Sequence, residues 1–363
     1  MLVPLVVGTP PAPIVRAAPI QDSPIALSIR TRAGTKRITC VLDGHRARTC
    51  ERNPTFKARP GRHTVAVRAL DARGRASSAR RVTIIVPARA PAAIRVGGEP
   101  VGIAAADGVI WVSGGSSGTV TAVDATTRRV AARVQVGGQL GGVAATADGS
   151  AAWVSDFGGG SVVRIDPVHH TVAQRIAVGG QPTALIPQLD GALWVGNLEG
   201  YVDRIGPSSR TRILLTSGVS VLLATRGLLW AGLQNGSAVA VDPTTRTPTG
   251  SAASVSRDVD AIADSPGGLW VSTFGGTAAL VDPDTRLVKR RVKLPSRGSG
   301  ISVGGGSVWA SAYDSALVVR LDPTTGALLG AVHTGAQPRE SLVVGNTLWV
   351  CNQADGTITP ISL

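Results

Sequence analysis

Seven tryptophans punctuate this chain at nearly even intervals: Trp111, Trp153, Trp194, Trp230, Trp270, Trp309 and Trp349. The steps between them are 42, 41, 36, 40, 39 and 40 residues, and the chain has no other Trp. A fixed aromatic returning about every 40 residues marks a tandem array of one supersecondary unit. Such a unit cannot bury its hydrophobic face alone, so its neighbours must cover it. The first complete unit starts at Pro100 and holds four apolar runs, GIAAA, VIWVS, TVTAVD and VAARVQV. Gly, Asp, Ser and Thr turns separate them. Short runs rich in Val, Ile and Thr, punctuated this way, read as strands. No segment of the array sustains a helical period.

Four antiparallel strands in about 40 residues make one blade of a β-propeller. Smaller features recur with the blade. A Gly lies six or seven residues after each Trp, as Gly118, Gly160, Gly200, Gly236, Gly276 and Gly356, with Ala316 the exception. Beyond it stands a turn-opening Asp, as Asp124, Asp166, Asp242, Asp282 and Asp322, replaced by Gly206 and Ser362 in the third and seventh units. Asp can accept a bond from the backbone two residues on, and the Pro that follows four of these Asp presets φ. The ends of the array complete each other. The seventh unit stops after its third strand, while Ala93-IRVGGEP repeats the junction Ala177-VGGQP. The expected fold is therefore all-β: a seven-bladed propeller of 28 strands, closed by an N-terminal strand pairing with the C-terminal three. Each Trp lies in a second strand and is expected to pack between blades.

The segment WVSDFGGGSVVRIDPVHHTVAQRIAVGGQPTAL resembles the YVTN-type propeller repeat, with Trp at the tyrosine position. Asn197, Asn352 and, as Asp, Asp156 stand where that repeat ends in Asn. The resemblance covers about residues 92–363. It implies a secreted or envelope-associated seven-bladed propeller and carries no catalytic residue to transfer.

Three regions are expected: residues 1–23 as a leader or Pro-rich linker, 24–88 as a small β-sandwich, and 90–363 as the propeller. In the second region, ITCVLDGHRARTC followed by GRHTVAVRALDARGRAS resembles a bacterial immunoglobulin-like module. A module of that size buries a limited core. A disulfide between Cys40 and Cys50 would help to hold it, and two reduced thiols are the alternative. Cys351, beside Trp349, reads as a small buried residue. The start MLVPLVVGTPPAPIVRAAP resembles a truncated export signal without its basic n-region. No stretch is long enough to span a membrane.

The net charge of +14 is concentrated. Residues 21–90 hold 16 Lys and Arg against 4 Asp and Glu, whereas residues 91–363 hold 20 against 19. A basic module ahead of a neutral array is expected to meet an anionic envelope surface or polymer. The alternative is a solvated Arg-rich surface. The module has no Trp or Tyr and one Phe, Phe56, so base-stacking platforms and specific nucleic-acid binding are not expected.

A closed propeller presents ligands at one end of its central channel. Here that mouth is read from two loop sets, those after each fourth strand and those between second and third strands. Charge gathers in units five to seven. Asp258, Asp260, Arg297, Tyr313, Asp314, Arg339, Glu340, Asn352 and Asp355 are the candidate ligand-binding residues. The equivalent inner-strand entries of units one to four, Val101, Gly142, Thr183 and Ser220, are blander. Arg with carboxylates in a concave site suits a polar ligand; no cofactor is expected, although such a set could take a divalent cation such as Ca²⁺. Self-paired ions around a wet channel are the alternative. Phe157, Phe274 and Tyr313 share one repeat position and either stack on a ligand or pack on the next blade. GGSSG at 114–118 fits G-x-S-x-G but reads as a hairpin loop, not a nucleophile elbow. His169 and His170 lie in a turn with no third ligand near.

Two functional classes follow. The first is a non-catalytic, exported, monomeric binding or scaffold protein whose channel mouth takes a polar ligand, a protein or an envelope polymer. The second is a metal-assisted lactonase or lyase of the virginiamycin B lyase or gluconolactonase-like propeller type. The former enzyme type relies on histidines with a glutamate, and the five His of this chain form no such set. A purely architectural spacer is the remaining possibility for such a fold.

Overall fold

The structure, a computed structural model, describes residues 9–188 and 192–363. The chain divides into two compact units, one through Arg89 that also takes in Leu329–Val332, the other Ala90–Leu328 with His333–Leu363. Among the described residues there is no α-helix, only two single-turn 3-10 segments, Gly115–Ser117 and Tyr313–Ser315. No helix is long and apolar enough to cross a membrane.

In the first unit, strands Arg48–Thr49, Arg37–Leu42, Gly61–Leu70 and Arg80–Val86 form one antiparallel sheet in that order. Two short pairs face it: Ile14–Arg16 with Ser28–Arg30, and Ile25–Ala26 with Thr55–Phe56. Alternation along the strands sends Ile38, Cys40, Val65, Val67, Ile84 and Val86 into one core with Val15, Ile25, Leu27, Ile29 and Phe56. A disulfide joins Cys40 to Cys50 with Cα atoms 6.0 Å apart. The pairing starts earlier than the sequence indicates. Val15 is buried, and Ile85 exchanges backbone bonds with the segment Pro19–Gln21, accepting from the Gln21 N–H at 3.0 Å and donating to the Pro19 carbonyl at 2.8 Å. Residues 14–21, expected in a leader or linker, therefore belong to this unit. A three-residue strand with one buried side chain is too short for its alternation to stand out. Residues 1–8 of that expected segment lie outside the described residues.

The second unit is built of repeated four-stranded antiparallel sheets, the arrangement of a β-propeller. Its sheets span 100–135, 140–177, 182–214, 219–254, 259–293 and 298–333, each with strands in chain order. In a further sheet, Pro338–Val344, Thr347–Asn352 and Thr357–Ser362 are followed by Ile94–Arg95. Thr357 pairs with Arg95 and Ile358 with Ile94, and Val96 and Gly97 both donate to the Gly356 carbonyl at 3.0 and 2.9 Å. Val136 and Gly137 donate to Gly118 in the same way, and Val178 and Gly179 to Gly160. The first strands of consecutive sheets lie against one another, and Pro100–Ala106 also touches Pro338–Val344.

Every Trp falls in the second strand of its sheet. Six are buried and Trp153 is half-buried. Trp111 packs with Leu140, Val154 and Ile165 of the next sheet, Trp194 with Leu229 and Val241, Trp230 with Val259 and Val271, and Trp349 with Ile110 and Val123. The indole N–H of Trp270 reaches the Pro323 carbonyl of the next sheet at 2.9 Å. Aromatic burial between sheets is thus the repeated stabilising contact.

Candidate functional site

Each first strand carries a register shift near its start. The shifts lie between Pro100 and Gly102, Leu140 and Val143, Pro182 and Leu185, Val219 and Val221, Val259 and Ala261, Gly298 and Ile301, and Pro338 and Ser341. A β-bulge re-aims the side chains it displaces. The displaced residues include Val101, Gly142, Thr183, Ser220, Asp260, Arg339 and Glu340, and all of these line one cavity of about 460 Å³. Hydroxyls at a recurring second-strand position brace the bulges. Ser113 Oγ donates to the Gly141 carbonyl at 2.6 Å and Ser155 Oγ to that of Thr183 at 2.9 Å. Cys351 takes the equivalent place, with Sγ 3.9 Å from the Gly102 carbonyl. It is fully buried, and that burial pushes its thiol pKa up, so it is packed rather than poised as a nucleophile.

The cavity has two unlike parts. Val101, Ile103, Leu140, Val143, Leu185 and Leu222 make an apolar arc. The rest of the lining carries Asp260, Arg339 and Glu340 with Gln353. Neither carboxylate has a hydrogen-bond partner among the described residues, whereas Arg339 Nη1 lies 3.4 Å from Gln353 Oε1. Desolvation raises the Asp260 pKa; Arg339 opposes this and Asp258 adds to it. Glu340 is pushed up to about 8, first by desolvation and then by the Asp260 charge, against the pull of Arg339. Glu340 therefore carries a proton at neutral pH. Asp260 and Glu340 are the residues that could hold a cation here, but no group of three His, Cys, Asp or Glu with metal-site geometry exists among the described residues.

Only three of the nine candidates meet at this cavity. Asp258 is exposed, with φ 45°, and its backbone bridges Gln234 and Phe274. Arg297 and Asp314 pair with each other on the rim, the guanidinium 4.6 Å from the Phe274 ring centre and 4.9 Å from that of Tyr313. The Tyr313 hydroxyl lies 3.0 Å from Gln337 Oε1 and 2.9 Å from Gln353 Oε1 and can donate to one of them at a time. Phe274 and Tyr313 thus pack over neighbouring rim residues, while Phe157 lines the cavity. Asn352 is fully buried and its amide holds Thr357 and Thr359 at 2.9 and 2.8 Å. Asn197 and Asp156, at the same repeat position, likewise secure loops. Asp355 accepts from the Ala336 N–H at 2.6 Å. These groups were grouped by loop position, which does not reveal which way each side chain turns. Residues outside the candidate set also line the cavity, among them Glu99, Gln139 and Gln234. Their signal was available: Glu99 and Gln139 recur in GGEP and GGQL, and Gln234 shares the repeat position of Phe157 and Gln353.

The other motifs have local roles. Ser117 Oγ bonds the Gly114 carbonyl at 2.6 Å within a 3-10 turn, so GGSSG is no strand-to-helix elbow. His169 Nδ1 meets Asp166 Oδ2 at 2.9 Å inside its turn.

No protein-family model and no curated protein matches the chain. Solved structures do. Virginiamycin B lyase from Staphylococcus aureus aligns with a TM-score of 0.65 and 14% identity, covering 75% of this chain and 98% of that one. A streptogramin B lyase aligns at 0.64 with 13% identity, over 74% and 96%. Hydrazine synthase of Kuenenia stuttgartiensis aligns at 0.65 with 18% identity, over 73% and 96%. At these identities the likeness is one of fold alone.

Proposed function

We propose that this chain is an exported, non-catalytic binding protein. In this reading a seven-bladed ring of YVTN type, closed through Ile94–Arg95, holds a polar ligand at its channel mouth. An N-terminal immunoglobulin-like module contacts an anionic surface of the cell envelope, and the protein works as a monomer outside the cell or in the envelope. The repeated backbone bonds at Val96, Val136 and Val178 support the closure. One observation carries the ligand site: two carboxyls without hydrogen-bond partners among the described residues and one arginine, aimed by bulges into a cavity of about 460 Å³ that also has an apolar arc. Cavities of a few hundred Å³ with few convergent polar groups are what small ligands use.

The test is thermal melting of the full chain against a panel of divalent cations, chelator, wall sugars, lactones and macrocyclic antibiotics. A ligand of the folded ring raises the melting point by mass action. The shift should vanish in Arg339→Ala and Glu340→Ala. A panel that shifts nothing, or shifts the variants equally, removes this reading.

A lyase or lactone hydrolase is the second reading. It is favoured by Glu340 and Asp260 together on one cavity, both with raised pKa values and Glu340 pushed up to about 8, an interacting carboxyl pair of the kind general acid–base chemistry uses. Turnover of a shifting lactone or macrocycle, lost in Glu340→Gln, would establish it. Binding without turnover would leave the first.

A further inference from the structure

The four-stranded sheet of the first unit has a second face. Cys40 pairs with Val67, and Leu42 with Val65, which pairs on with Val82; these residues turn toward the core. Alternation then places Arg37, Thr39, Arg62, Thr64, Arg68, Arg81 and Thr83 on the opposite face, together with Val41, Ala66 and the buried Leu70 and Ile85. The register brings Thr39 opposite Arg68, Thr64 opposite Thr83, and Arg81 opposite Ala66. Arg37, Arg62, Arg68, Arg81 and Thr83 are exposed. Arg68 gives one N–H to the Ser77 carbonyl at 2.7 Å. Arg37, Arg62 and Arg81 have no hydrogen bond or ion pair among the described residues. No Asp or Glu occupies these face positions. Two of the unit's carboxylates are engaged elsewhere, Asp43 with His63 and Asp71 with Arg75.

Side chains directly across strands stand about 5 Å apart, and next-but-one positions along a strand about 7 Å. Arg68 stands one diagonal step from Arg37 and one from Arg81, and guanidiniums set this closely repel one another unless counter-charges lie between them. Arg62, opposite Ile85, lies farther along the strand and extends the row. A polyanion supplies such charges at short intervals, and its phosphate oxygens match both the planar fork of Arg and the Thr hydroxyls. Bases would gain nothing here: the described residues of this unit contain no Trp or Tyr, and Phe56 is buried in the core.

We propose that this sheet face binds a linear phosphate polymer without bases, through Arg37, Arg62, Arg68 and Arg81. The inference deepens the envelope-contact reading above and rests on it. Binding of the full chain to long-chain inorganic polyphosphate, measured across a salt series, tests it. The triple variant Arg37→Gln, Arg62→Gln, Arg81→Gln should bind at least about tenfold more weakly. It should also flatten the slope of log K against log salt by about 2, at about 0.7 per phosphate contact. The control Arg30→Gln, Arg32→Gln, Arg52→Gln removes equal charge outside this sheet and should change affinity less than about threefold. Melting curves confirm that both variants fold. Equal losses in the two triples would mean diffuse charge attraction and overturn the proposal. Anionic vesicles or poly(dT) bound more tightly by the same face would also overturn it; the vesicle outcome would leave the envelope reading standing. No binding of any of the three polyanions would remove both.

Discussion

At the scale of single residues, the position after each second strand shows what backbone geometry demands. Gly236 has φ 84°, and a Cβ there would fall 1.4 Å from the Ser256 carbonyl oxygen. Gly236→Ala should prevent that turn from forming and cost more than the roughly 1–2 kcal/mol of a left-handed alanine. Ala316, the exception among these glycines, has φ 50° and the same left-handed conformation. Ala316→Gly should raise stability by up to about 1 kcal/mol in urea unfolding, since it removes the Cβ strain at some entropic cost. Asp203 makes a different demand. Its side chain is fully buried and takes bonds from Arg210 at 2.5 Å and from Arg212 at 2.9 and 3.0 Å. Asp203→Ala would leave two guanidiniums without their carboxylate. Because both arginines are partly exposed, a loss of about 3 kcal/mol, the low end for a broken buried pair, is expected in the same assay.

Glu340 sets a pH dependence of its own. A carboxyl with pKa raised from 4.5 to about 8 binds a proton in the folded state that the unfolded chain releases. Stability therefore falls as pH rises from about 4.5 to about 8. Glu340→Gln should flatten this part of the profile and leave the protein more stable than its parent at the alkaline end. A profile of unchanged slope would mean that the cavity does not desolvate Glu340.

At the scale of elements, the Asp turns behave as local chemistry requires. Asp124, Asp166, Asp242, Asp282 and Asp322 each accept backbone N–H bonds from the residues two and three positions on. The His169 side chain, then the His169 and Val168 N–H groups, hold Asp166 down to about 2. Stability from a lowered carboxylate is complete above its ordinary value of 3.8 and is lost as pH falls toward about 2. Asp166→Asn should reduce the steepness of acid unfolding by lowering stability near neutrality, while leaving stability near pH 2 almost unchanged. These turns were legible because the interaction spans three residues. The bulges were not, because a bulge is defined by its partner strand. The sequence marks Asp260, Arg339 and Glu340 as unusual entries to inner strands, but only pairing shows that they are displaced from the ladder and aimed into one cavity. Asn352, Asp314 and Asp355 sit at similar loop positions and turn into the protein or toward neighbours instead.

At the scale of the whole molecule, the link between Ile94–Arg95 and the last sheet spans most of the chain. A chain beginning at Ala90 should melt cooperatively. One beginning at Gly98 should melt lower and aggregate, because the Thr357–Ser362 strand then has a bare edge. Equal melting of the two would show that this strand adds nothing to the last sheet. The period of the tryptophans, the turn chemistry and the split repeat were all in the sequence. They are repeated local patterns, and repetition makes a weak signal readable. The start of the first unit at Ile14, the Arg face of its sheet and the membership of the cavity were decided by tertiary structure. Each depends on which strand lies beside which, and cross-strand neighbours distant in sequence leave no periodic trace.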